Sequence, residues 1–429
     1  MFMFGKTSSA AAETQNAKNI IALAKLLCQK GILQESEIDQ IFSAKPNAAP
    51  TSFTGNFPLD LLPQGVESSN EFPELIDAGK RVINTLMQKY DITGKIVDCI
   101  SSSNFTNYKI ALAPEENTDV FRLIKDEICS TLNSLCVRIL PSTDDHIFIE
   151  VPNTSFPQLH IRQLLESEEW KNSKAEIPLA IGKNTFGEPV ILNLDKIGHL
   201  LIVGSMENGK SVLLNSLVIS LLHKFSPDEL MLKVYTLQHT DCVSRKMSHL
   251  PSVQMFHFHQ EQMMKELSDL VETIDYRRDQ IAAAGFDGLT EYNKFFQDQP
   301  IPHCVIIIDN AGKLMSDKEA IRLITKIAKL GSYVGIHLIL ATMHTGTDVI
   351  SGVIKQLFPT RLCFQVRSLV DSRVVLDAPG AENLSEEGDM LMTATGCCHP
   401  MRINVASTTR NDIKNVIDFF AAAVARNNF

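Results

Sequence analysis

Apolar residues recur at helical spacing over residues 19–29, through Ile20, Leu23, Ala24 and Leu27, and Gly31 closes that element before a second short helix over 35–41. Residues 43–70 carry four prolines among Ala, Asn, Ser, Thr and Gly, which reads as a linker. A compact unit follows. The pattern predicts a helix over 74–90, strands over 94–101 and 108–112, a helix over 120–135 with Leu123, Ile124, Ile128 and Leu132 on one face, and strands over 137–140 and 147–151. From residue 178 the pattern changes. Short apolar strands at 200–203, 232–236, 305–309, 338–341 and 362–366 alternate with amphipathic helices such as 211–223 and 319–330. That alternation predicts an α/β sheet of parallel strands, covered on both faces. Three segments result: 1–71, a helical and linker region; 72–177, a small α+β domain; and 178–429, the parallel-sheet domain.

Composition narrows the class. A hydrophobic fraction of 44% with 21% charged residues is that of a folded globular chain. The net charge of -10 provides no overall basic field for nucleic acid, so any DNA contact has to be local. The nine cysteines include no CxxC pair, which fits small buried thiols in a reducing cytoplasm. No apolar run approaches the ~20 residues of a membrane span, and no secretory leader is visible, so a cytoplasmic location is expected. His257 and His259 alternate along the chain, but a third ligand is not near them in sequence and a metal site is not expected there.

The strongest motif is Gly204-Ser205-Met206-Glu207-Asn208-Gly209-Lys210-Ser211, which matches G-x-x-x-x-G-K-[ST] between an apolar strand and a helix. Glycines allow a tight turn whose amides point at a phosphate, and the helix N-terminus behind it adds positive potential. Lys210 is placed to reach the β- and γ-phosphates of ATP, and the Ser211 hydroxyl to ligate Mg²⁺. Glu207 is unusual, since it puts a carboxylate in an anion-binding loop. The second half of such a site is an apolar strand ending in Asp, and Cys304-Val305-Ile306-Ile307-Ile308-Asp309 fits, with Asp309 as the second Mg²⁺ residue.

With these residues in place, the chain resembles the motor region of FtsK/SpoIIIE DNA translocases over roughly residues 75–408. The shared stretches include Ile181-Gly182-Lys183, His199-Leu200-Leu201, Gly335-Ile336-His337-Leu338, Pro359-Thr360-Arg361, Asp371-Ser372-Arg373 and Gly388-Asp389-Met390-Leu391. The resemblance implies a RecA-like P-loop domain preceded by a small α domain. It further implies a ring, a hexamer or a mixed ring, around double-stranded DNA, with nucleotide between subunits. The family's membrane spans and winged-helix γ domain are expected to be missing.

Three positions depart from the family pattern. Asn310 stands where the family has the Glu that activates water, and an amide accepts no proton near neutral pH. Met343, followed by His344, stands where the family has a Gln that senses the γ-phosphate. Ser332 replaces an Arg thought to reach a neighbour's phosphate. Glu207 or Asp241 as base, and Arg373 or Arg361 as trans cation, are the available replacements. The expectation is nucleotide binding with weak or absent hydrolysis, in a translocase relative or in a pseudo-ATPase that scaffolds or regulates a larger DNA-handling or secretion machine.

Overall fold

A computed structural model describes residues 57–65, 73–102, 104–113, 120–132, 137–141, 146–153, 158–205, 208–236, 253–257, 260–384 and 388–427. The helices expected at 19–29 and 35–41, together with Met206, Glu207, Asp241 and His259, lie outside these residues.

The smaller sheet has four antiparallel strands: β1 (Gly94–Ser101), β2 (Phe105–Leu112), β3 (Arg138–Pro141) and β4 (His146–Pro152), in the order β1-β2-β4-β3. Two helices, α1 (Pro73–Lys89) and α2 (Val120–Thr131), pack on it. Ile83 and Met87 of α1 and Ile124 and Ile128 of α2 meet Tyr108, Ile110, Ile147 and Ile149 of the sheet in one core.

The larger sheet has ten strands. They are β5 (Pro178–Asn184), β6 (Pro189–Asn193), β7 (Leu200–Val203), β8 (Leu230–Thr236), β9 (Val253–His257), β10 (His303–Asp309), β11 (Ile336–Thr342), β12 (Thr360–Cys363), β13 (Asp389–Thr393) and β14 (Met401–Val405). Their order is β6-β5-β14-β13-β12-β7-β11-β10-β8-β9. The run from β12 to β9 is parallel, and β13, β14, β5 and β6 extend it antiparallel. Every residue of β7, β10 and β11 is buried, as a doubly covered parallel sheet requires. Alternate residues feed opposite cores. Leu200 and Ile202 join the helices α3 (Lys210–Lys224) and, at the C-terminus, Arg410–Asn427; Leu201 and Val203 join α4 (Gln260–Ala283) and α7 (Lys318–Leu330). Between the last two lie α5 (Leu289–Phe295) and α6 (Gly312–Ser316), and beyond them α8 (Gly352–Leu357) and α9 (Leu369–Leu376).

Packing divides the chain differently from composition. Leu159, Ile161, Leu164, Leu165, Trp170 and Ile177 belong to the larger core, although the sequence groups residues up to 177 with the smaller unit. Phe57 and Leu62, in the proline-rich stretch, are buried in that same core. The Leu62 carbonyl accepts from Arg162 Nη1 at 2.7 Å and the Leu61 carbonyl from Asn415 Nδ2 at 2.9 Å. The chain thus enters the core of the larger domain before it builds the small one.

The two domains meet through buried charge. Arg402 grips Asp389 with Nε at 2.9 Å and Nη2 at 2.5 Å, and its guanidinium lies 4.6 Å from the Phe105 ring of the small sheet. Arg138 pairs with Glu150 at 3.1 Å and donates to the Pro400 carbonyl at 2.9 Å. Asn107 donates to the Thr185 carbonyl at 2.7 Å. A buried ion pair costs desolvation, and breaking one by removing a single partner costs about 3–5 kcal/mol. This junction is therefore specific and intolerant of change.

Three histidines line the N-terminal edge of the parallel strands. The His199 Nδ1 accepts from the Leu338 amide at 3.0 Å, which leaves Nε2 to donate to the Ala328 carbonyl at 2.9 Å. The neighbouring His337 and His303 rings are also buried. Burial pushes His199 and His303 down to about 4 and lowers His337 as well; His223, packed on Phe57 and Trp170, is likewise pushed down to about 4. An unfolded histidine titrates near 6.5. Between pH 6.5 and 4 the unfolded chain therefore binds protons that the native chain refuses, so stability is full above that window and falls as the pH drops through it. Urea unfolding is expected to show a loss of about 2 kcal/mol for each of His199, His303 and His223 between pH 7 and pH 5, with a further loss in the same direction from His337. A flat profile over that range would mean that these rings are charged or solvated in the native chain.

Candidate nucleotide site

In a parallel sheet the loops that follow the strands gather at one edge, the usual place for a ligand. Here that edge joins the ends of β7, β10, β11 and β12. The Gly204 amide donates to the Thr342 carbonyl at 3.3 Å and the Ser205 amide to the Gln365 carbonyl at 3.1 Å. Asn208 Nδ2 reaches the same Gln365 carbonyl at 3.1 Å. The loop's start and middle are thus stitched to the strands on either side of β7.

Phe364 forms the floor. It is fully buried, and a Cβ placed on Gly204 would fall 2.6 Å from Phe364 Cβ. A Cβ on Gly209 would approach Phe364 Cε1 at 3.1 Å, and Gly209 has φ +94, a left-handed conformation that glycine adopts without a steric penalty. Both glycines of the motif are therefore demanded by the turn and by its floor.

Lys210, the first residue of α3, folds back into this turn. Its Nζ donates to the Gly204 carbonyl at 2.7 Å and also to the Ser205 carbonyl. Burial pushes its ammonium down to about 8, and the Asp309 carboxylate opposes part of that shift. An ammonium desolvated beside amide dipoles is stabilised by an approaching anion. Ser211 is exposed next to it, and Asp309 is buried at the end of β10.

Asn310 follows in a left-handed turn with φ +58 and is buried. Asparagine is one of the few side-chain-bearing residues enriched in that region. The Ala311 amide then donates back to the Ala341 carbonyl at 2.8 Å, so the turn leans on β11. Met343 is half-buried immediately beyond β11, on the same edge. Ser332 is elsewhere: it precedes β11, whose seven residues at about 3.3 Å each put it some 20 Å from the loop of the same chain. Residue 332 therefore does not reach the loop of its own chain.

The replacement cations differ in availability. Arg361 is buried and bonded to Asp377 at 2.7 Å, whereas Arg373 is exposed and no ion partner meets it among the described residues. Lys355 is held by the same Asp377 at 2.7 Å. No group of three His, Cys, Asp or Glu able to hold a metal occurs among the described residues. Phe364, Gln365 and Thr342 escaped the sequence reading because each lies more than a hundred residues from the loop it supports. The only local signal was the pair of obligate glycines.

A parallel sheet with a lysine-bearing glycine loop at its carboxyl edge defines a P-loop ATPase fold, preceded by a small α+β domain. Residues 160–347 match the FtsK/SpoIIIE family and residues 58–153 the FtsK alpha domain, and the chain belongs to the FtsK/SpoIIIE family. It is 31% identical over 375 residues to the DNA translocase FtsK of Caldanaerobacter subterraneus subsp. tengcongensis, covering 84% of this chain and 52% of that protein. The FtsK of Helicobacter pylori J99 is 29% identical over 425 residues, 95% of this chain and 48% of the relative. The DNA translocase SftA of Bacillus subtilis is 28% identical over 369 residues, 84% and 38% respectively. The chain thus spans about half the length of the curated relatives it matches, and less of SftA. Among solved structures, the pCW3 conjugation coupling protein TcpA, in a monomer form with ATPγS, shares the fold with TM-score 0.56 and 18% identity, over 81% of this chain and 99% of that one. The cytoplasmic domain of the type VII secretion ATPase EccC of Thermomonospora curvata does so at TM-score 0.54 and 20% identity, over 61% and 34%. No described helix is long and apolar enough to cross a membrane.

The backbone at residue 310 makes a specific prediction. A longer L side chain in the left-handed region costs about 1–2 kcal/mol, so Asn310→Glu is expected to lose that much stability in urea, and Asn310→Gly is expected to hold it. Equal stability of the glutamate variant would show that the turn is not constrained.

Proposed function

We propose that this chain binds ATP and Mg²⁺ through residues 204–211 and Asp309. We further propose that it handles double-stranded DNA within a ring of like subunits, a hexamer or a mixed ring, and hydrolyses nucleotide weakly. The observation that carries the nucleotide reading is Lys210, buried and desolvated, donating only to loop carbonyls that a phosphate oxygen can replace. Ser211 and Asp309 flank it and would supply two of the six oxygen positions of a magnesium ion, with water and phosphate taking the rest. Family membership, and relatives named DNA translocases, support duplex DNA as the partner. The acidic composition then confines the DNA contact to a lining surface.

Weak turnover rests on three residues. Asn310 cannot take a proton, Met343 offers no hydrogen bond to a phosphate, and Ser332 brings no charge to a neighbouring site. A base is typically worth 10²–10⁴ in rate and a trans arginine about 10³–10⁵, although such factors do not multiply. The left-handed turn at Asn310 also favours the second reading, a pseudo-ATPase acting as a structural or regulatory subunit, because the backbone there is fitted to asparagine. The composition and its dispersed cysteines fit a cytoplasmic location for either reading.

Titration calorimetry with ATP and Mg²⁺, run beside a turnover assay with and without duplex DNA, separates these readings. Micromolar or tighter ATP binding is expected, weakened tenfold or more, about 1.4 kcal/mol, by Lys210→Ala. Turnover is expected well below about 1 s⁻¹, the low end of ordinary enzyme rates. DNA-stimulated hydrolysis above that rate would overturn the weak-turnover reading, and no ATP binding at all would overturn the whole proposal.

A further inference from the structure

Asn310 leaves the phosphate-facing edge without a carboxylate after Asp309, yet one titratable side chain on that edge has no part in the reading above. His344 follows β11 by two residues. Its backbone amide donates to Thr342 Oγ1 at 3.0 Å, and its ring lies over the turn that follows Asp309: a Cβ placed on Gly312 would fall 2.2 Å from His344 Cδ2. The same corner is tied to the phosphate loop, because the Thr342 carbonyl accepts the Gly204 amide at 3.3 Å. The neighbouring Ala341 carbonyl accepts from Ala311 at 2.8 Å. The first glycine of the loop, the turn after Asp309 and the end of β11 thus form one hydrogen-bonded corner, with an imidazole on it. His344 is exposed, and no hydrogen bond holds its ring among the described residues.

We propose that His344 orients the attacking water and accepts its proton, the part that residue 310 cannot play. The inference rests on the ATP-binding reading above. In the step, the water oxygen bonds to the γ-phosphorus while the bond from that phosphorus to the β–γ bridging oxygen breaks, its electron pair leaving on ADP. One water proton passes to an imidazole nitrogen and then to solvent, and phosphate departs. Imidazole is the side chain best suited to accept a proton near neutral pH. The charged groups on the surrounding elements are Asp309 and Lys313 on the strand and helix flanking the turn, Lys210 in the loop, and Asp348 in its own loop. Asp371 of α9 joins them, bonded to Thr345 at 2.5 Å. The competing explanation is that the ring only packs against Gly312, so the test needs readouts that packing does not move.

Single-turnover ATP hydrolysis by the whole chain is measured from pH 6.0 to 8.5 for the wild type, His344→Gln and Gly312→Ala, with ATP affinity by calorimetry and folding by circular dichroism. The wild-type rate is expected to fall toward pH 6.0. His344→Gln is expected to lower the rate about 10²-fold, to abolish that acid limb, and to leave the ATP Kd within about threefold. Gly312→Ala displaces the ring without removing it, and is expected to slow the rate with affinity kept; it decides the matter should His344→Gln misfold. An unchanged rate and pH profile in the variants would overturn the proposal. So would a wild type that binds ATP and never hydrolyses it, which leaves the binding reading intact. A wild type that ignores ATP sinks both.

Discussion

An ammonium taken out of water has to be met by dipoles or by an anion, and the placement of Lys210 sets that requirement at the centre of the larger domain. The Gly204 and Ser205 carbonyls meet it directly and the Asp309 carboxylate supports it from β10. For those carbonyls to face inward, the loop must curl tightly over Phe364, which leaves no room for a side chain at Gly204 and requires a left-handed residue at Gly209. The curl in turn fixes which strands stand beside β7, since the loop bonds to Thr342 at the end of β11 and to Gln365 after β12. A single buried charge therefore links the motif to the strand order.

The small domain is attached by the same kind of constraint. Arg402, Asp389, Arg138 and Glu150 are all buried between the two sheets, and each charge has an opposite partner. Each pair lies within one domain, and what crosses is the Arg138 bond to the Pro400 carbonyl, the Asn107 bond to the Thr185 carbonyl and the Arg402 guanidinium over Phe105, so a slip would strand buried donors. Asp389 follows Gly388, which accepts from the Val405 amide and lies beside Gly209 of the phosphate loop. The domain junction and the nucleotide loop thus share the β13–β14 arm.

Much of this was legible from periodicity and spacing. The all-apolar runs at 200–203 and 305–309 become central strands because only a doubly covered parallel sheet buries such a run completely. The loop motif, Asp309 and Asn310 fall where their spacing put them, on one edge. The antiparallel arm of β13, β14, β5 and β6 was not legible, because its short strands mix polar and apolar residues and are fixed by pairing with one another. The membership of residues 57–62 in the larger core was equally hidden, since proline-rich composition describes local stiffness and says nothing of burial. Arg361 was a free candidate in the sequence and is a buried partner of Asp377 in the fold, a distinction that only three-dimensional proximity makes.

The direct test is a crystal structure of the whole chain with ATPγS and Mg²⁺. The account predicts that Lys210 Nζ leaves the two loop carbonyls for phosphate oxygens, with Ser211 and Asp309 on the metal side. Nucleotide bound anywhere else, with Lys210 still on the Gly204 and Ser205 carbonyls, would contradict it.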